Sequence, residues 1–133
     1  MSILTLHNAL RALRPTGIDH YAGQAPANPT PPWLVTGFAT PDITASEAAL
    51  GIAKTGTLTV TIATLTEDAT NVWVERVDDC CIGARVQVEG WTVGALVAGV
   101  RSGPYPAGLT ALDTNLRYQV ARIGYRFTYS RTA

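Results

Sequence analysis

Charge is scarce in this 133-residue chain: Asp, Glu, Lys and Arg make up 15% of it, where a globular domain ordinarily carries about a quarter. The deficit is filled by Thr, Ala and Gly. A surface short of charge suits either a lean soluble domain or a protein whose faces are covered by partners. Ten basic and ten acidic residues cancel to a net charge of zero, which removes the basic footprint expected of a free nucleic-acid binder. There is one lysine, Lys54, and two histidines, His7 and His20. Neither histidine stands in an HxxxH spacing, and there is no CxxC pair with which to build a zinc site. Cys80 and Cys81 are adjacent; on a helix their side chains diverge by about 100°, so they read as free thiols, which suits a reducing cytoplasm. No run approaches the roughly 20 apolar residues that span a bilayer. Residues 1–14 lack the basic start and apolar run of a secretory signal, so no membrane association is expected.

What is present is a series of short, well-punctuated elements. Ile3, Leu6, Leu10 and Leu13 recur at helical spacing, with Ser2 as N-cap and Pro15 and Gly17 as the stop. Residues 22–32 form a Pro-rich spacer that leads into a strand at Trp33–Phe38. In TLTVTIATL, residues 57–65, Leu58, Val60 and Ile62 take one face and Thr57, Thr59 and Thr61 the other. A helix follows at once, capped by Thr66 and led by Glu67 and Asp68, running to about Cys81 and ended by Gly83. Its Ala69, Trp73, Val77 and Cys80 make one stripe. Strands are then expected at Ala84–Trp91, where Glu89-Gly90 is either a turn or a bulge, at Val93–Arg101 and at Arg117–Ser130. On the last strand Ile123, Tyr125, Phe127 and Tyr129 share one face; Arg122, Arg126 and Thr128 share the other. Two long loops remain, 39–56 and 102–116; the first has room for a helical turn at Ala45–Leu50.

This order predicts a single α+β domain over residues 1–133: a two-layer sandwich with a four- to five-stranded, mostly antiparallel sheet, two helices on one face and a terminal meander. No catalytic constellation accompanies it. Asp78, Asp79 and Glu75 are spaced along a helix so that they do not converge on a cation. The acids beside Cys80 and Cys81 oppose thiolate formation. No phosphate-cradling glycine motif precedes a helix. The expectation is a protein that is not an enzyme and carries no cofactor or metal.

The N-terminal helix, the Pro-led strand PPWLVTG, the run TLTVTIATLTEDATNVWVERVDDCCIGARVQVEGW and the closing strand LRYQVARIGYRFTYS follow one another over most of residues 1–131. In this pattern of elements the chain resembles the tail terminator proteins of long-tailed bacteriophages, also called tail completion or minor tail proteins. The Gly/Ala-rich segment 92–108 departs from the pattern. The resemblance implies a homo-oligomeric ring, a hexamer, in the virion tail or neck and made in the host cytoplasm. One ring face would cap the tail-tube protein and stop polymerisation. The other would dock the head–tail connector, and DNA would cross the lumen without sequence recognition.

Charge is also segregated along the chain. Five of the ten basic residues but one acid, Asp113, lie after residue 100, so that part carries +4 and the rest −4. Arg117, Arg122 and Arg126 facing Glu75, Asp78 and Asp79 of a neighbouring subunit are therefore the candidate interface; chance clustering on a solvated strand face is the plainer account. Two other functions fit the same composition. One is a head-completion or connector ring protein of the neck. The other is a small cellular ligand-binding α+β module, which predicts a closed apolar pocket.

Overall fold

A computed structural model describes residues 3–23, 32–39, 54–110 and 117–131. The elements in chain order are α1 (Ile3–Arg11), β1 (Asp19–Ala22), β2 (Trp33–Ala39), β3 (Lys54–Thr64), α2 (Glu67–Cys81), β4 (Trp91–Val93), β5 (Val97–Thr110) and β6 (Arg117–Arg131).

β3 sits between β2 and β6 and bonds antiparallel to both over long registers, Val60 facing Thr36 on one side and Ile123 on the other. Its alternation decides the two faces. Leu58, Val60 and Ile62 are buried with Leu34 of β2 and with Ile123, Tyr125, Phe127 and Tyr129 of β6. Leu6 and Leu10 of α1 and Val77 and Cys81 of α2 close over the same face and complete the main core. α2 buries Thr70, Val77 and Cys81, with Trp73 and Cys80 packed at the margin of the core. Ile3, by contrast, is 39% exposed, so the α1 stripe seals the core only from Leu6 onward.

The β3–α2 junction is tight because hydroxyls satisfy the backbone groups that a helix start leaves open. The Thr66 side chain accepts from the Ala69 amide at 3.1 Å. Buried Thr64 and Thr70 sit 2.6 Å apart, and both donate to the Thr66 carbonyl. At the other end Gly83, at φ +78°, takes the left-handed turn that stops the helix.

The sheet corrects the expected sandwich. Among the described residues it has six strands, is mixed, and curls into a half-barrel. β1, a stretch for which the sequence predicts no element, pairs parallel to β2, from Asp19 opposite Trp33 to Ala22 opposite Thr36. Ala84–Gly90 is not a strand; only Trp91, the last residue of the expected strand, pairs, as the start of β4. Residues 84–90 contribute only the Val88–Trp91 bridge, and Val86 and Val88 pack on the core from an irregular backbone. No terminal meander forms, because β4 and β5 both bond to β6.

Residues 102–110 are likewise strand, not loop. β5 continues through Pro104 and Pro106 with three shifts of register. An edge strand tolerates proline and bulges because one side of its backbone has no ladder to break. Such irregularities add local twist to a strand. Ala39 and residues 54–56 are also strand; the rest of the expected loop 39–56, with its turn at Ala45–Leu50, and residues 111–116 lie outside the described residues.

Candidate functional site

The face of the sheet turned away from the helices has two parts. At one end Trp33, Ala63 and Val120 form a small second cluster, with Tyr21 and Val35 against it. Beyond it β6 presents Arg122, Gly124 and Arg126, opposite Thr61, Thr59 and Thr57 of β3. Both arginines are exposed, and neither makes an ion pair among the described residues. Gly124 lies between them because β5 crosses there too closely for a side chain. A Cβ on Gly124 would stand 3.0 Å from the Val100 carbonyl oxygen, and one on Gly99 3.2 Å from that of Gly124.

The close crossing pushes Val100 outward to 90% exposure. It borders a depression of about 200 Å³ together with Thr57, Thr59, Ser102, Arg122 and Arg126. A second depression, of about 280 Å³, adjoins it at Arg126 and is bounded by Thr55, Ala95, Val97 and Thr128. Val97 is half exposed. Among the described residues, no acid lines either one.

The acids stand on the other side of the molecule. Glu75 and Asp79 are exposed on α2, whose opposite side enters the core. Within one subunit the sheet therefore separates them from Arg122 and Arg126. Asp78 behaves differently, since it flanks the helix and is used within the chain. Its carboxylate receives Arg101 Nη2 at 2.8 Å and Nη1 at 2.9 Å, a bidentate ion pair, and the Tyr125 hydroxyl at 2.6 Å. These hydrogen bonds hold the Asp78 carboxyl below its ordinary range, Arg101 contributing most, against the opposing effect of burial. Arg117 opens β6 opposite Thr110.

Sequence reasoning missed Arg101 and Tyr125 as partners of Asp78. The strand alternation that puts Tyr125 inward was visible; the 23-residue separation of Arg101 from Asp78 carried no local signal. Asp68 and Val72 share the exposed side of α2 with Glu75 and Asp79, a grouping that follows from helical spacing.

The remaining reactive groups are taken up structurally. His7 stacks on Phe38 with ring centroids 3.9 Å apart and planes 4° from parallel, and the Arg11 guanidinium carbon sits 4.9 Å from the same ring. Burial, then Arg11, lowers the His7 pKa. His20 Nε2 lies 2.7 Å from the Thr36 hydroxyl, and burial followed by the Arg14 and Arg11 charges lowers its pKa. Among the described residues no three His, Cys, Asp or Glu side chains converge as a metal site, and no helix is long and apolar enough to cross a membrane.

Cys81 is 2% exposed, and burial, reinforced by Cys80 and Asp78, pushes its thiol up to about 12. Cys80 is half-buried. Iodoacetamide at pH 8 is accordingly expected to label one thiol per folded chain, Cys80, and both in urea. Equal labelling rates in the folded protein, read by peptide mass, would contradict the assigned packing of α2.

Compared with known protein-family models and with curated protein sequences, the chain matches none.

Proposed function

We propose that the chain is a ring-forming structural subunit of a phage tail, a tail terminator. Six copies cap the tail-tube protein, stop its polymerisation and offer the opposite ring face to the head–tail connector, while DNA passes through the lumen unread. The observation that carries this reading is the placement of unlike charge on opposite faces of one subunit. Arg122 and Arg126 stand on the sheet face, and Glu75 and Asp79 on the outer side of α2, none of them ion-paired among the described residues. A surface that is its own complement, front to back, suits a head-to-tail contact. Such contacts close into rings when the rotation permits. The low charge content and the resemblance of the sequence pattern to tail terminators motivate the same reading.

The test is the mass of the purified chain by light scattering, alone and mixed with the tail-tube protein of the same virus. The expected species is a hexamer, six times the 14.1 kDa chain or about 85 kDa, or a monomer that becomes a ring on tube ends and arrests their growth. A monomer that leaves tube length unchanged would rule the terminator role out.

A further inference from the structure

The sheet-face depression between Arg122 and Arg126 has a counterpart on the same chain. On α2, residues 68, 72, 75 and 79 follow the i, i+4, i+7, i+11 spacing that lines one side of a helix. They are Asp68, Val72, Glu75 and Asp79, and all four are exposed. They point away from the buried side formed by Thr70, Val77 and Cys81. Val72 is 46% exposed, an apolar residue set among acids. Arg76, the cation nearest this stripe, is drawn aside over the Trp73 ring at 4.6 Å.

The sheet face carries the inverse pattern: arginine, then exposed Val100 beside Gly124, then arginine. Four residues of strand separate Arg122 from Arg126 by about 13 Å. On the helix, Asp68 lies about 10 Å from Glu75 and about 16 Å from Asp79, with Val72 between. The arginine spacing falls between the two acid separations, the charges are opposite in sign, and in both patterns an apolar residue lies between the charges.

We infer that the Asp68–Val72–Glu75–Asp79 stripe of one copy docks into the Arg122–Val100–Arg126 depression of the next copy. The inference rests on the reading of the chain as a ring-forming subunit and names the contact that builds the ring. It removes Asp78 from the contact, because that carboxylate is already committed to Arg101 and Tyr125. It adds Asp68 and Val72. Val72 and Val100 cover one another at the centre, and the charges flank them, an arrangement of apolar middle and polar rim common to protein interfaces. Each copy offers its helix to one neighbour and its sheet to the other, so one contact, repeated, suffices for a closed ring.

The test uses two charge reversals in the full chain, Glu75→Arg with Asp79→Arg and Arg122→Glu with Arg126→Glu. All four residues are exposed, so the fold is expected to persist; circular dichroism checks this. Self-association is followed by sedimentation at low and high salt. Wild type is expected to assemble. Each reversal alone is expected to weaken association by about 100-fold or more, and an equimolar mixture of the two to recover it, because each variant's helix then meets an opposite sheet. Assembly of both variants at wild-type strength would overturn the contact while leaving a ring built another way. A wild type that stays monomeric at every concentration and salt, both alone and in the presence of tail-tube ends, would overturn the contact itself. Loss on the sheet side alone would also overturn it, and heparin binding by wild type but not by Arg122→Glu/Arg126→Glu would then assign the arginines to a polyanion.

Discussion

Ile62→Ala is expected to cost the fold about 3–4 kcal/mol, within the range that burying and then deleting a large aliphatic side chain produces. Ile62 is fully buried on β3, the strand bonded on both edges, and faces Leu34 and Ala121 across the ladder. Ile62 belongs to the main core with Leu10, Leu34, Leu58, Val60 and Val77. Backbone hydrogen bonds on both edges keep β3 from collapsing into the space that alanine would leave. The neighbouring Thr61→Ala is expected to cost less than about 1 kcal/mol, since Thr61 sits half-buried on the opposite face. Urea unfolding with an unchanged m-value measures both. Similar losses at the two positions would mean that the faces of β3 are not those described.

That contrast rests on the part of the fold that was legible in the sequence. The alternation of TLTVTIATL and of the last strand reports which side chains enter the core, and the core is indeed where Leu58, Val60, Ile62, Tyr125 and Phe127 lie. The cap at Thr66 was legible for a different reason, being a local hydrogen bond between residues three apart. What failed was pairing. Val86 and Val88 alternate as a strand would, because they pack against the core, but alternation registers burial and not a ladder. β1 has four residues, no apolar alternation and a partner beyond the Pro-rich spacer, so nothing local announces it. The start of β5 was expected as strand, but its continuation over residues 102–110 was hidden by Gly and Pro, which punctuate a loop in isolation but are absorbed as register shifts once β6 supplies a template. The candidate site divides the same way. Arg122 and Arg126 fall on one face by strand period alone, whereas the choice between Asp78, Asp79 and Glu75 needed the position of β5, which brings Arg101 to Asp78 and leaves the other two facing solvent.

Removing the Asp78 carboxylate is the second change with a large expected effect. Asp78→Ala strands two donors at once: the Arg101 guanidinium and the hydroxyl of Tyr125, a residue with no exposed surface. Charge-assisted hydrogen bonds of this kind contribute about 1.5–3 kcal/mol each when well buried. Here the side chains of Arg101 and Asp78 are 36% and 23% exposed, so water screens the ion pair and takes up part of the loss. The expected cost is about 2–3 kcal/mol, most of it from the buried Tyr125 hydroxyl and from freeing β5 from α2. Asp78→Asn, which keeps an acceptor for Tyr125, is expected to lose about half as much. The pH dependence has a definite sign. The folded carboxyl titrates below its ordinary value because Arg101 and Tyr125 favour the charged form. Its contribution is therefore complete above the unfolded value of about 3.9 and disappears as pH falls through the lower folded value. The stability gap between wild type and Asp78→Asn should be constant at neutral pH and shrink only in acid, below about pH 4. Chemical denaturation of both proteins across that range measures it. A gap that stays constant down to pH 2, or one that closes already near pH 6, would mean that the carboxylate is not the group that ties β5 to α2.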